Sequence, residues 1–315
     1  MLFLPKGLGM KNSVTIWLSA SRPKTLPLAL VSILTGSALA FASGQFSWTI
    51  TFLSLITATL LQILSNLAND YGDAVKGTDN AQRLGPIRAL QTGKINLTAM
   101  RNAIIINVLL TLLAGLALIF YALDSLESIL IFLLLGVLAI TAAIAYTVGN
   151  RPYGYVGLGD LSVFIFFGLL GVLGSCFLQT GKLDFSLILP SIGCGLMAVA
   201  VLNVNNMRDI ENDAECGKYT VAVRLGQEKA KKYHFVLLAG AILAFGSYLL
   251  SQDKPLWISL PFLLSLVVVI QHGKAVWKTS KPAQIAPMLP VIVKCSLITN
   301  LLFVGVVIAQ TLSMV

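Results

Sequence analysis

The chain has 315 residues, of which 57% are hydrophobic and 11% charged, whereas a soluble domain carries about 25% charged residues. That excludes a soluble enzyme, a disordered chain and a secreted disulfide scaffold, and leaves an integral membrane protein. The formal net charge of +9 would suggest nucleic acid in a soluble protein; here the positive-inside rule accounts for it, so no nucleic-acid partner is expected.

Met1 to Ser21 has neither a long apolar run nor a small-residue cleavage site, so no cleavable signal is expected there. A spanning helix needs about 20 mostly apolar residues. Nine stretches qualify: 25–43, 47–69, 102–122, 127–146, 159–179, 185–206, 232–250, 254–272 and 288–312. The expected fold is an all-α integral membrane protein of nine transmembrane helices, forming a single domain over 1–315. With a cytoplasmic N-terminus, every lysine and arginine except Lys182, Lys254 and Lys294 falls on the cytoplasmic side, Lys294 lying inside the ninth span. The C-terminus is then outside, and the expected location is the inner (plasma) membrane. Pro190 and Pro261 are expected to kink their spans, and Gly36, Gly115 and Gly136 to allow close helix packing. Cys176, Cys194, Cys216 and Cys295 read as small apolar core residues. His234 and His272 lie too far apart in sequence to suggest a histidine centre.

Seven of the 13 acids occupy two short windows. Asp70, Asp73 and Asp79 follow the second span; Asp209, Glu211, Asp213 and Glu215 follow the sixth. The positive-inside rule gives no reason to gather acids there. Asn69-x-x-x-Asp73 is matched by Asn205-x-x-x-Asp209, and positions i and i+4 share a helix face. Each pair offers a carbonyl oxygen beside a carboxylate, hard donors suited to Mg²⁺. Asp79 and Asp213 extend each set into its loop, over 66–94 and 205–226, while Glu211 and Glu215 fall off the shared face and read as solvated. Each window leads into an Arg-Leu-Gly run, at Arg83 and at Arg224. The matched windows indicate two pseudo-repeated halves, and repeat interfaces in membrane proteins often hold the site. Two facing acidic clusters would repel unless cations neutralised them. With Lys76, Arg83, Arg88, Lys218 and Arg224 beside them, they suit a metal-bound diphosphate.

These windows resemble the UbiA superfamily of intramembrane aromatic prenyltransferases. The stretches SRPKTLP (21–27), NDYGDAVKGTD (69–79), RLGPIRALQTG (83–93), YTVGNRPYGYVGLGD (146–160) and NNMRDIENDAECGKYTVAVRLG (205–226) resemble one branch, the 1,4-dihydroxy-2-naphthoate polyprenyltransferases of menaquinone synthesis. One departure matters: five residues separate Asp73 from Asp79, where the superfamily's usual motif has three, and this looks like the branch's own variant. The resemblance implies nine helices around a central cavity, one Mg²⁺ at each acidic motif, and a lateral opening for a polyprenyl tail entering from the bilayer.

It further implies that Asn69, Asp73 and Asp79, with Asn205, Asp209 and Asp213, hold two Mg²⁺ on a polyprenyl diphosphate, with Asp73, Asp79, Asp209 and Asp213 as the catalytic acids. Lys76, Arg83, Arg88 and Lys218 add charge-assisted hydrogen bonds, and 1,4-dihydroxy-2-naphthoate attacks the allylic cation with loss of CO₂ at the cytoplasmic side. Arg22 reads either as the cation for the acceptor's carboxylate or as a snorkelling anchor. Tyr146, Arg151, Tyr153 and Tyr155 read as acceptor contacts or interface-belt residues, and Asp160 as a substrate contact or a helix-terminus group. Two other readings stay open: a prenyltransferase for 4-hydroxybenzoate or homogentisate, and a cation-coupled transporter, whose sites lie nearer the bilayer midplane.

Overall fold

The computed structural model describes residues 10–313, and every regular element among them is helical. Lys6 and the first nine residues of the segment judged for a signal lie outside the described residues. The elements are α1 (Met10–Ala20), α2 (Leu26–Ala42), α3 (Trp48–Val75), α4 (Leu97–Ala122), α5 (Leu126–Ala145), α6 (Gly159–Thr180), α7 (Phe185–Arg208), α8 (Ile210–Glu215), α9 (Val221–Leu225), α10 (Gln227–Ser251), α11 (Leu256–Trp277) and α12 (Pro282–Leu312).

Eight of these are long and apolar enough to cross a membrane, while α2, with 17 residues, is shorter. Helix is the form such segments take because the bilayer core offers no other partner for backbone N–H and C=O groups. Polar residues mark the starts: Ser47, Asn96 and Ser125 accept from the backbone N–H of Ile50, Ala99 and Ser128. Helices occupy all nine predicted stretches. α1 was not predicted, because its apolar content is too low for a span.

Pro190 and Pro261 both fall near the starts of their helices. Pro261 lies in a 3-10 stretch, Leu256–Leu263, that opens α11, and Pro190 sits in the first α-helical turn of α7, where no N–H is lost from the ladder. Residues Phe164–Gly174 of α6 form a π-helix, a rare form often found at functional sites. It packs tightly on α7: a Cβ at Gly168 would sit 2.6 Å from the Ser191 carbonyl. Gly36 is likewise packed, against Val172 and Ser175. Gly136 has open space where a Cβ would be, and Gly115 meets only Thr57 at 4.0 Å; both line the cavity and do not serve helix contact.

Three apolar clusters flank that cavity, the smallest built on Ile50, Leu118, Ile119 and Leu178. One joins α7, α10, α11 and α12 through Met197, Val204, Phe245, Phe262 and Phe303, with the Phe245 and Phe303 rings 4.6 Å apart. Another joins α3 and α4 through Leu64, Leu67, Met100 and Ile104, with Trp17 of α1 packed on it. Though 38 residues apart in sequence, His234 of α10 and His272 of α11 are buried with their Nε2 atoms 3.0 Å apart. Cys176, Cys194 and Cys295 are buried, but Cys216 is partly exposed, against Asn80 and Gly77.

Candidate active site

A cavity of about 380 Å³ runs between α2, α3, α5, α6 and α7. Ser54 through Asp73 of α3 line it, a rise of about 28 Å. Its length is apolar, with Leu28, Ile33, Leu118, Phe132, Phe166 and Leu170, and its polar end carries Arg22, Asn69, Asp73, Arg88, Asn205 and Lys218.

The last turns of α3 build the first half of that end. Asn69 and Asp73 share the cavity face, as i,i+4 spacing requires. Past the helix, the backbone folds back: the N–H groups of Thr78 and Asp79 donate to the Asp73 carbonyl at 2.9 and 3.3 Å. This returns Asp79 to the helix end, where its side chain is 1% exposed. Arg88 then reaches in from the loop after α3. Its Nη1 lies 3.2, 3.0 and 2.8 Å from carboxylate oxygens of Asp70, Asp73 and Asp79. Arg22 pairs with Asp70 from the α1–α2 connection. Its backbone is left-handed, at φ 50°, a conformation that costs a non-glycine residue about 1–3 kcal/mol and aims the guanidinium at α3.

The second half comes from α7 and α8. Asn205 faces the cavity. Asp209 caps α7 and is held by both its neighbour Arg208 and, at 3.7 Å, Arg83 Nε. Asp213 is buried one turn on, its N–H donating to the Asp209 carbonyl at 2.8 Å. Arg83 (which also reaches Asp209), Lys218 and Asn212 tie the halves together. Arg83 Nε lies 3.4 Å from Asp79, Lys218 Nζ lies 3.5 Å from Asp73, and Asn212 donates to the Thr78 carbonyl at 3.0 Å.

The 146–160 segment forms a third wall. Its approach depends on Gly72, where a Cβ would stand 2.6 Å from the Thr147 carbonyl and hydroxyl oxygens. Thr147 donates to the Ala68 carbonyl at 3.0 Å. Tyr155 donates to Asp73 at 2.8 Å and meets Thr78 at 2.6 Å, with Lys76 and Lys218 over its ring at 5.6 and 5.2 Å. Tyr146 lines the cavity, edge-on to Tyr153.

The electrostatics follow from burial outside the spans. Burial raises the Asp79 carboxyl in spite of Arg88 and pushes Asp213 up to about 6 in spite of Lys218. Burial and the nearby Arg88 lower Arg83 to about 10. Burial alone would lower Arg88, but the three carboxylates around it hold it above its ordinary value. Burial and Asp73 raise the Tyr155 phenol.

Of the residues singled out in the sequence, the structure gathers Arg22, Asn69, Asp73, Asp79, Arg83, Arg88, Tyr146, Asn205, Asp209, Asp213 and Lys218 at one end of the cavity. Lys76 is exposed above Tyr155. Two stand elsewhere. Arg151 projects into solvent from the turn before Pro152, and Asp160, in the first turn of α6, accepts from Tyr233 of α10 at 3.0 Å. Glu211 and Glu215 are exposed, as their helical phase predicts. Sequence reasoning counted Asp70 in the first window but gave it no role, since it sits off the Asn69/Asp73 face; it missed Arg208, absorbed into the positive-inside tally; and it read Tyr155 as an acceptor contact or belt residue, where the hydroxyl holds Asp73.

The donor set suits a hard cation: all its atoms are amide and carboxylate oxygens, and Asp79 Oδ1 and Asn212 Oδ1 are buried without hydrogen-bond partners. As the side chains stand, no three His, Cys, Asp or Glu residues among those described surround a common metal position. Arg88 and Arg208 hold the carboxylates instead.

The UbiA prenyltransferase family model matches residues 29–298. The chain is 51% identical to the 1,4-dihydroxy-2-naphthoate octaprenyltransferase of Escherichia coli, over 93% of this chain and 96% of that one. It is 46% identical to the Haemophilus influenzae protein of the same name, over 93% and 96%. A UbiA homologue of Archaeoglobus fulgidus, solved bound to GPP and Mg²⁺, shares the fold at TM-score 0.63 and 18% identity, over 91% of this chain and 98% of that one. The chain belongs to the UbiA prenyltransferase family.

Proposed function

We propose that this chain transfers a polyprenyl group from its diphosphate to 1,4-dihydroxy-2-naphthoate, releasing diphosphate and CO₂ to give demethylmenaquinol. The observation that carries this reading is the junction of two acidic windows and their bases at the mouth of a long apolar cavity. Relatives of 46–51% identity bear the name of that activity.

The apolar length between α2, α5 and α6 holds the prenyl chain, and Arg22, Arg83, Arg88 and Lys218 bind the diphosphate. Mg²⁺, held by Asn69, Asp73 and Asp79 and by Asn205, Asp209 and Asp213, supplies charge stabilisation as negative charge builds on the leaving group. Tyr155 fixes the Asp73 carboxylate through its hydroxyl and keeps Lys218 near through its ring. The cavity walls keep water from the allylic cation. Tyr146, beside Asn69 and Thr147, faces the place where the aromatic acceptor meets C1 of the prenyl chain. All nine predicted stretches span the inner membrane, α2 included, with a cytoplasmic N-terminus that puts this end of the cavity at the cytoplasmic face; residues 1–315 act as one domain.

The test is prenyl transfer by purified Asp73→Ala and Asp209→Ala with Mg²⁺, naphthoate and a polyprenyl diphosphate. Each is expected to lose at least about 100-fold in rate, as removal of one charge-stabilising group does. Wild-type turnover in both variants overturns the reading. Supplying 4-hydroxybenzoate and homogentisate in parallel tests the acceptor, and naphthoate alone is expected to react.

A further inference from the structure

The carboxylates of the first window are already held by a cation that belongs to the chain. Nη1 of Arg88 stands 3.2, 3.0 and 2.8 Å from oxygens of Asp70, Asp73 and Asp79, and 3.5 Å from the Asn69 carbonyl. A Mg²⁺ ion takes such oxygens at about 2.0–2.1 Å. Set on the same oxygens, it would stand about 3 Å from the guanidinium, where opposed positive charges in a buried site are poorly screened. The ion and Arg88 therefore exclude one another at this cluster. Two further observations say which one moves. Asp70 and Asp73 are fixed on α3, whereas Arg88 is carried by a segment of turns between α3 and α4. Asp79, from that same segment, has its Oδ1 buried without a hydrogen bond, met only at 3.4 Å by Arg83 Nε.

We propose that Arg88 is a positioning residue that acts as a stand-in cation. It keeps three like charges together before the substrate arrives, leaves them when metal and diphosphate enter together, and then takes a diphosphate oxygen as its new partner. Metal alone is held off, because a displaced Arg88 has no other anion to meet; the diphosphate supplies one. This rests on the metal-diphosphate reading of the site given above.

A purely structural ion pair and a stand-in cation make opposite predictions for metal binding. The probes are Mn²⁺, whose free concentration is read by paramagnetic resonance, and inorganic pyrophosphate, with the full-length protein in detergent. Without pyrophosphate, Arg88→Gln is expected to bind Mn²⁺ about tenfold more tightly than the wild type, since one positive charge beside the ion is gone. With pyrophosphate present, the order reverses, because the variant lacks the group that follows the diphosphate. Arg88→Lys, which keeps a charge on a shorter stem, is expected to fall between the two and decides the matter if Arg88→Gln does not fold. Equal or weaker Mn²⁺ binding by these variants without pyrophosphate overturns the proposal. The underlying metal reading fails differently: wild-type protein then binds no Mn²⁺ even with pyrophosphate, and Asp73→Ala changes nothing.

Discussion

At the scale of single residues, the site trades stability for charge. Asp213 is buried beside Asp209, and its folded value of about 6 lies above that of an unfolded carboxylate. A raised folded value favours the protonated form, so this group's contribution to stability is present at low pH and is lost as pH rises through about 6. Asp213→Asn should thus make metal-free protein more stable at pH 7.5, by about 3 kcal/mol, and should abolish prenyl transfer. Thermal unfolding in EDTA, with the turnover assay beside it, checks both halves; an unchanged or lowered melting temperature would count against Asp213 as a strained ligand. Much of the acid set was legible because charge is scarce in this sequence and periodicity sorts what remains. Asn69 and Asp73 shared a face by arithmetic alone. Tyr155 was not legible, since an interface tyrosine and one that holds Asp73 look alike until the chain folds back. Arg22 gave no sign of its left-handed backbone for the same reason: the strain belongs to a turn set by α1 and α3 together.

At the scale of elements, spans were legible and helix types were not. A run of apolar residues announces a spanning helix because the bilayer leaves the backbone no alternative. The π-helix in α6 has no such local signal: Phe164–Gly174 reads as an unbroken apolar run without a proline. The same holds for the wall after α5. Its contact with α3 needs the missing side chain of Gly72, and nothing in the sequence distinguished that glycine from those at open positions. Gly72→Val would drive a branched side chain into Thr147 and push this segment away from Asp73. The expected cost is about 1–3 kcal/mol of stability, together with a loss of prenyl transfer larger than Gly136→Ala causes, since Gly136 has open space beside it. Melting curves and steady-state rates of the two variants, measured side by side, test the comparison.

At the scale of the whole molecule, the charge asymmetry sets an orientation that can be measured directly. A cysteine placed at Glu215, in a background without other cysteines, should react with a membrane-impermeant maleimide only in inverted vesicles. One placed at Lys182 or Lys254 should react in intact cells. The reverse pattern would invert the topology and move the site to the opposite face. The existence of a site between two halves was readable from their matched motifs, but the links across it were not. Arg83 bridges Asp79 and Asp209, and Lys218 reaches back to Asp73. Those bridges fix when the protein acquires its chemistry as well as where. A nascent chain that has inserted α2 to α6 owns the whole first window but has neither Asp209 nor Lys218. An allylic diphosphate meeting it finds no complete cage of charge. On the proposed reading, ionising power is armed only after α7 and the loop behind it are in place, so a half-built chain would not release a carbocation into the bilayer.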